Sequence, residues 1–309
     1  MREVLEKLKG DFISFMIRSL WLVFIGACSF GVLSTFVKLS FKAGYSVGEV
    51  TGVQVFFGMI LLWILFLGGR AAGLVRDRPK EGKEAPWKLI VAGSSTGMVS
   101  ITYYQCISLV PASIAIILLM QFVWIGILLE FVLFKNKPSR LQVFSMVLVL
   151  GGTLLAAGLF NGQRTVFPLA GLFYGLLAAT FYAVFLIVMS RYGNGYPAVQ
   201  KSALMLTGAC LLIFIVFPPT FLVNGVLTAG LWKWGLILAS LGTVIPPLFF
   251  AVGIPIVGVT LSSIISAVEL PVAVAMSYFI LLEEVSGLQW LGVFIILGAI
   301  VVSNIFKKT

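Results

Sequence analysis

Along the whole chain, apolar runs of about twenty residues alternate with short polar breaks. Ten runs are long enough to span a bilayer: 18–41, 49–69, 87–109, 112–134, 140–160, 168–190, 197–217, 230–252, 257–282 and 286–306. A spanning helix needs about 20 such residues, because the hydrocarbon core is about 30 Å thick and each residue rises about 1.5 Å. The two-residue alternation of a membrane strand is missing, which argues against a barrel. The longest break, GGRAAGLVRDRPKEGKEAP at 68–86, has no room for a soluble domain. Ahead of the first run, residues 1–17 place Val4, Leu5, Leu8, Phe12 and Phe15 at helical spacing among charges. That pattern predicts a short helix lying in the inner interface. Interspersed acids, and no small-residue cleavage site after the first apolar run, argue against a signal peptide.

Composition agrees. The 309 residues are 60% hydrophobic and 10% charged, with a mean hydropathy of +1.12. Histidine is absent, which removes the commonest zinc ligand and general base. Cys28, Cys106 and Cys210 lie far apart in apolar runs, so neither a disulfide framework nor a metal cluster is expected, and no cofactor. The net charge of +10 invites a nucleic-acid reading, but its placement argues for topology instead. With the N-terminus in the cytoplasm, 17 of the 21 Lys and Arg fall inside; Lys38, Lys42, Arg164 and Lys233 fall outside. Ten spans then place both termini in the cytoplasm.

The chain also repeats itself. VPASIAIILLMQFVWIGILLEFVLFKNKPSRLQVF (110–144) aligns with VGVTLSSIISAVELPVAVAMSYFILLEEVSGLQWL (257–291) at an offset of 147. Each copy ends in a polar break followed by Leu-Gln: Leu141-Gln142 and Leu288-Gln289. Each half holds five spans, an odd number, so the second half enters the membrane from the opposite side. Inverted repeats around a midplane site are the plan of many secondary transporters. The expected fold is an all-α integral membrane protein of ten transmembrane helices, in two inverted five-helix repeats at 18–160 and 168–306.

Ten spans in a five-plus-five arrangement, the break-Leu-Gln repeat and ELPVAVAMSYFILLEEVSGLQWLGVFIILGAIVVSN near the C-terminus resemble the drug/metabolite transporter superfamily, EamA type. The resemblance covers 18–306. It implies a glutamate and proline in the ninth span, matched by Glu269 and Pro271, and a central cavity lined by spans 1, 3, 4, 6, 8 and 9. The fourth-span counterparts are Phe122 and Trp124, a departure from the proline pattern.

The chemistry concentrates on few residues. Glu269 falls about 18 Å along its span, near mid-bilayer. A carboxylate there costs about 3 kcal/mol or more unless it faces a cavity, finds a partner or takes a proton. Pro271 cannot donate to the Ala267 carbonyl, which is expected to be free for a ligand. Ser262 and Ser266 share the face of Glu269, making a site for a proton, ammonium or other cation; the alternative is a packing hydrogen bond to a neighbouring helix. In span 3, Thr96, Ser100, Tyr104 and Ser108 form a stripe flanked by Tyr103 and Gln105. It is either a cavity wall or a set of hydroxyls bonded to their own helix. Gln121 and Trp124, one turn apart in span 4, offer an amide and an indole to a substrate, or ordinary packing. Tyr182 of span 6 is another cavity candidate, with Gly171 and Gly175 nearby at close-packing spacing. Lys38 is expected to snorkel to the outer surface and Glu130 to pair with Lys135. Pro246-Pro247 breaks span 8 as a hinge or a source of cavity-lining carbonyls, and Gly253-Ile254-Pro255 is expected to turn the chain into span 9.

ATP-binding, HExxH and GxSxG motifs are absent, so neither an ATP-driven step nor a hydrolase is encoded. The reading is a plasma-membrane secondary transporter exporting small amphipathic metabolites such as amino acids, with protons as a partner and no nucleic acid. A channel or facilitator is one alternative; a membrane-embedded enzyme or lipid scramblase is another.

Overall fold

The computed structural model describes residues 2–75, 84–135, 137–156 and 168–305. Six of the charges expected on the inside, Arg76, Arg78, Lys80, Lys83, Lys307 and Lys308, lie outside the described residues, as do Arg164, the segment 157–160 and residue 306. So do the side chains of residues 1–13, on which the interfacial helix rests.

All regular structure among the described residues is helical: α1 (Arg2–Lys42), α2 (Val47–Ala71), α3 (Pro86–Leu109), α4 (Ala112–Leu119), α5 (Phe122–Phe134), α6 (Arg140–Ala156), α7 (Leu169–Arg191), α8 (Ala198–Val216), α9 (Trp232–Leu238), α10 (Ile245–Val257), α11 (Val259–Ser266), α12 (Glu269–Met276) and α13 (Gly287–Ile305). Six helical stretches are long and apolar enough to cross a membrane: Ser14–Lys42, Val47–Ala71, Ala112–Phe134, Leu169–Arg191, Ala198–Val216 and Leu227–Val257. Val143–Ala156, Glu269–Leu281 and Gly287–Ala299 are shorter apolar helices. At 24 residues α3 is long enough, but it carries the polar stripe of Thr96, Ser100, Tyr103 and Tyr104.

The two halves pack by the same rules. The α1 helix lies against α10 and α12, and its counterpart α7 lies against α3, α4 and α5. The α6 and α13 helices pair with each other, where the Ser145 hydroxyl donates to the Ala299 carbonyl (3.3 Å) and Gly292 backs onto Gly152. Shifting each member of the pair Ser145–Ala299 by 147 gives Gly292–Gly152, as a two-fold relation between the halves requires. Among the described residues, the non-glycine positions with positive φ are Lys135 (57°) and Leu282 (58°), again 147 apart.

Three expectations need correction. The turn into span 9 is at Gly258, whose φ of 86° suits a residue without Cβ; α10 runs through Pro255 to Val257. Glu130 meets Arg191 (3.8 Å), whose guanidinium also lies 3.5 Å over the Phe134 ring, rather than Lys135. Lys38 does not snorkel outward. Its ammonium donates to the Ile107 and Val110 carbonyls (2.7 and 3.0 Å) and so caps the end of α3.

Candidate functional site

Spans 4 and 9 are both broken, at the same repeat position. Between α4 and α5, the Gln121 and Val123 amides donate to Leu118 and Met120 (3.2 and 3.1 Å), three residues back instead of four. Between α11 and α12, the Val268 and Leu270 amides do the same to Ile265 and Ala267 (3.1 Å each). Both breaks are tightened turns of the 3₁₀ kind. The Ala267 carbonyl, expected to be free, is therefore occupied by Leu270.

The second break presents Glu269 as the first residue of α12, where the helix dipole favours a carboxylate. Its side chain is 1% exposed. The Tyr182 phenol of α7 donates to Glu269 Oε1, and no Lys or Arg forms an ion pair with it among the described residues. Gly31 of α1 makes this position reachable: a Cβ there would stand 2.8 Å from the Glu269 carbonyl oxygen. The Tyr182 ring packs edge-on against Phe122 of α5, with centroids 4.6 Å apart, and stacks on Phe185.

Glu269 opens onto a cavity of about 40 Å³ between the helices. The α1 helix contributes Phe30 and Leu33; α3 contributes Thr96, Val99, Ser100, Tyr103 and Tyr104; α4 contributes Ile116 and Leu119; α7 contributes Tyr182 and Phe185. Gly242, in the π-helical turn Ala239–Val244 just before Pro246-Pro247, completes the wall from span 8. The two prolines thus start α10 beside the cavity, where a widened turn accommodates the missing donors.

Of the candidate residues, the structure brings Glu269, Tyr182, Ser100, Tyr103 and Tyr104 together around this space. Ser262 and Ser266 are fully buried on the same helical stretch, Ser266 beside the Tyr182 phenol, and they do not line the cavity. Gln121 and Trp124 also stand outside it and satisfy each other. The Trp124 indole donates to Gln121 Oε1 (2.8 Å), and Gln121 Nε2 donates to the Ile117 carbonyl (3.2 Å), which the break deprives of its backbone donor. Ser108, the end of the span 3 stripe, bonds the Gln105 carbonyl instead. Pro271 lies within α12, beyond the break.

Gln54 of α2 was missed. It is 2% exposed, lines the cavity and accepts from the Tyr104 phenol. As the one carboxamide in a long apolar span it carried the same signal as Glu269. Glu283 was also missed. It lies past the last turn of span 9 and accepts from the Ala112 and Ser113 amides (3.1 and 3.3 Å), the Ser113 hydroxyl (2.8 Å) and the Ser277 hydroxyl. Residues of the second half thereby cap the start of α4. Burial pushes the Glu283 carboxyl up, but these hydrogen bonds outweigh it and hold it below the usual carboxylate range.

The model of the EamA-like transporter family matches this chain twice, over residues 17–158 and 169–305. A solved structure, described as a crystal structure of a protein, superposes with a TM-score of 0.69 at 17% identity, covering 94% of this chain and 99% of that one; such a likeness speaks to fold. Comparison with curated proteins gives no match. The chain belongs to the EamA-like transporter family, within the drug/metabolite transporter superfamily, and is a multi-pass membrane transporter built from two repeats.

Proposed function

We propose that this EamA-like transporter is a secondary active exporter of small amphipathic metabolites, such as amino acids, across the plasma (inner) membrane. It works by alternating access between ten spans arranged as two inverted halves, with both termini cytoplasmic. The observation that carries the reading is Glu269: a buried carboxylate with no cationic partner among the described residues, at the wall of a cavity between repeats. Leaving a charge in such a place is costly, so the site favours states in which a proton or a substrate amine occupies it. Exchange of one for the other would couple transport to the proton gradient. The short break in span 9, mirrored in span 4, gives each half a point at which to bend.

Counterflow in proteoliposomes tests the mechanism. A panel of labelled metabolites should include at least one whose flux is stimulated by unlabelled substrate on the opposite side. Flux without trans-stimulation would identify a channel or facilitator instead. Orientation is tested separately: a Lys80→Cys variant should resist an impermeant maleimide in intact cells, and labelling there would reverse the topology.

A further inference from the structure

The charge of the cavity is lopsided. Glu269 is its acid, and no Lys or Arg lines it among the described residues. The remaining polar groups are neutral: Thr96, Ser100, Tyr103 and the pair Gln54–Tyr104. Gln54 spends its oxygen on the Tyr104 phenol, which leaves its NH₂ for a ligand, and the Tyr103 hydroxyl is buried near the Ser34 hydroxyl. Outside the lining, the half-buried ammonium of Lys38 is committed to two carbonyls at the end of α3. The titratable groups that face Glu269 are Cys28 from α1, Tyr103 from α3 and Tyr182 from α7; α5 presents Phe122. None of them is a cation.

We propose that the cavity takes a small organic monocation, an amine on an apolar or aromatic body with a neutral hydrogen-bonding group beside the amine, and exchanges it one for one with a proton on Glu269. This inference rests on reading Glu269 as the proton and amine site, and it narrows the amphipathic metabolites of the exporter reading to amines without a carboxylate, in place of free amino acids. Charge balance decides the class. With Glu269 ionised, a bound monocation leaves the closed cavity neutral; with Glu269 protonated and no ligand, it is neutral again. A zwitterion breaks this symmetry, because its carboxylate would be buried beside an ionised acid with no cation to meet it. Protonating Glu269 instead would strand the ammonium. An anion fares worse. In the exchange, the carboxyl proton leaves to the water on the side the cavity faces, the ammonium takes its place, and no covalent bond of the ligand changes. Phe30 and Phe185 suit an aromatic body and a cation beside it, and the free NH₂ of Gln54 suits the neutral acceptor.

Three probes with one body separate the classes: phenylalaninol, phenylalanine and 3-phenylpropionate, with phenethylamine as the amine lacking the neutral group. Affinities come from thermal unfolding of the purified protein. Phenylalaninol should bind at least about tenfold tighter than phenylalanine, and 3-phenylpropionate should not bind. Glu269→Gln should abolish that preference, and Gln54→Leu should lower the preference for phenylalaninol over phenethylamine. In proteoliposomes, amine flux should follow an imposed pH gradient and ignore a potassium–valinomycin potential. Phenylalanine binding as tightly as phenylalaninol, no amine binding, or flux driven by the potential would each overturn the inference. Trans-stimulated flux of a zwitterion would do so while leaving the transporter reading intact, whereas absence of trans-stimulated flux for every substrate tried defeats that reading itself.

Discussion

Ala112–Phe134 and Val259–Leu281 occupy equivalent places in the two repeats, and they share a backbone but not a chemistry. Both lose the regular ladder over the same two residues, Met120-Gln121 and Ala267-Val268, with the same three-residue hydrogen bonds, and both are followed by a left-handed residue, Lys135 and Leu282. Only the second contains a proline near the break. The break therefore belongs to the repeat and its packing, not to Pro271. What differs is which group the break presents. In span 4 it is Phe122, and the freed carbonyl is covered by Gln121. In span 9 it is Glu269. Tyr182 touches both, resting its ring on Phe122 and its hydroxyl on Glu269. The symmetric scaffold thus carries an asymmetric site.

The largest effect expected is at the charge itself. Glu269→Gln keeps shape and one accepting oxygen for Tyr182 but removes the proton and cation site. Transport in proteoliposomes should fall by at least about tenfold, or lose its pH dependence, while the protein still inserts and folds. Unchanged kinetics and an unchanged pH profile would leave Glu269 as a packing group. At the equivalent position the effect should be structural instead. Phe122 is fully buried, and Phe122→Ala should cost about 3–5 kcal/mol of stability, read by unfolding in detergent. A Phe122→Ala protein of normal stability would mean the Tyr182 ring is held by something else.

The outer ends of the two spans give a smaller contrast. Glu283, beyond span 9, holds the start of span 4 through three hydrogen bonds and is itself steadied by Ser277 of its own span, whereas the C-terminal end of span 4 relies on the Arg191–Glu130 pair and the Phe134 ring. Glu283→Gln should loosen the outer contact and speed impermeant maleimide labelling of an Ala112→Cys protein by roughly threefold. The sign of the pH effect follows from a depressed carboxyl. Its contribution is present above the ordinary carboxylate range and lost only as pH falls through the lower native value. Labelling of the Ala112→Cys protein with Glu283 intact, divided by that of a fully exposed reference cysteine at the same pH to remove the thiolate fraction, should stay flat between about pH 8 and pH 5. A rise within that window would move the pH sensing of this end away from Glu283.

Much of this was legible in the sequence, because the bilayer makes its demands over twenty residues at a time. Each of the ten apolar runs is helical over most of its described residues, and the 147-residue repeat reappears in the breaks. Glu269 was legible because a lone acid in an apolar span is rare. Side-chain partners were not. Gln121 and Trp124 look available on a helical wheel, yet they spend their polarity on each other and on Ile117, because the break beside them creates a carbonyl that must be satisfied. Lys38 and Glu283 find helix ends distant in sequence, which no local pattern announces. Gln54 was readable by the rule that found Glu269, since it is the carboxamide of an otherwise apolar span.

Pro271→Ala is the smallest expected effect and the sharpest test of the comparison. Proline removes a donor and crowds the preceding turn, so the sequence alone makes it the cause of the break. The structure offers a control within the same chain, since Trp124 holds the equivalent position and span 4 breaks there all the same. In span 9 the Leu270 amide already occupies the Ala267 carbonyl, and Gly31 lets α1 sit against the Glu269 carbonyl. Both contacts survive when residue 271 gains an N–H. Transport by Pro271→Ala should therefore stay within about twofold of the parent protein, with the Glu269–Tyr182 contact preserved; an N–H regained outside the ladder is worth about 1 kcal/mol at most. A tenfold loss, with backbone amide exchange at 267–271 slowed to that of a continuous helix, would show that the proline does break span 9. The two spans would then have reached the same shape by different means.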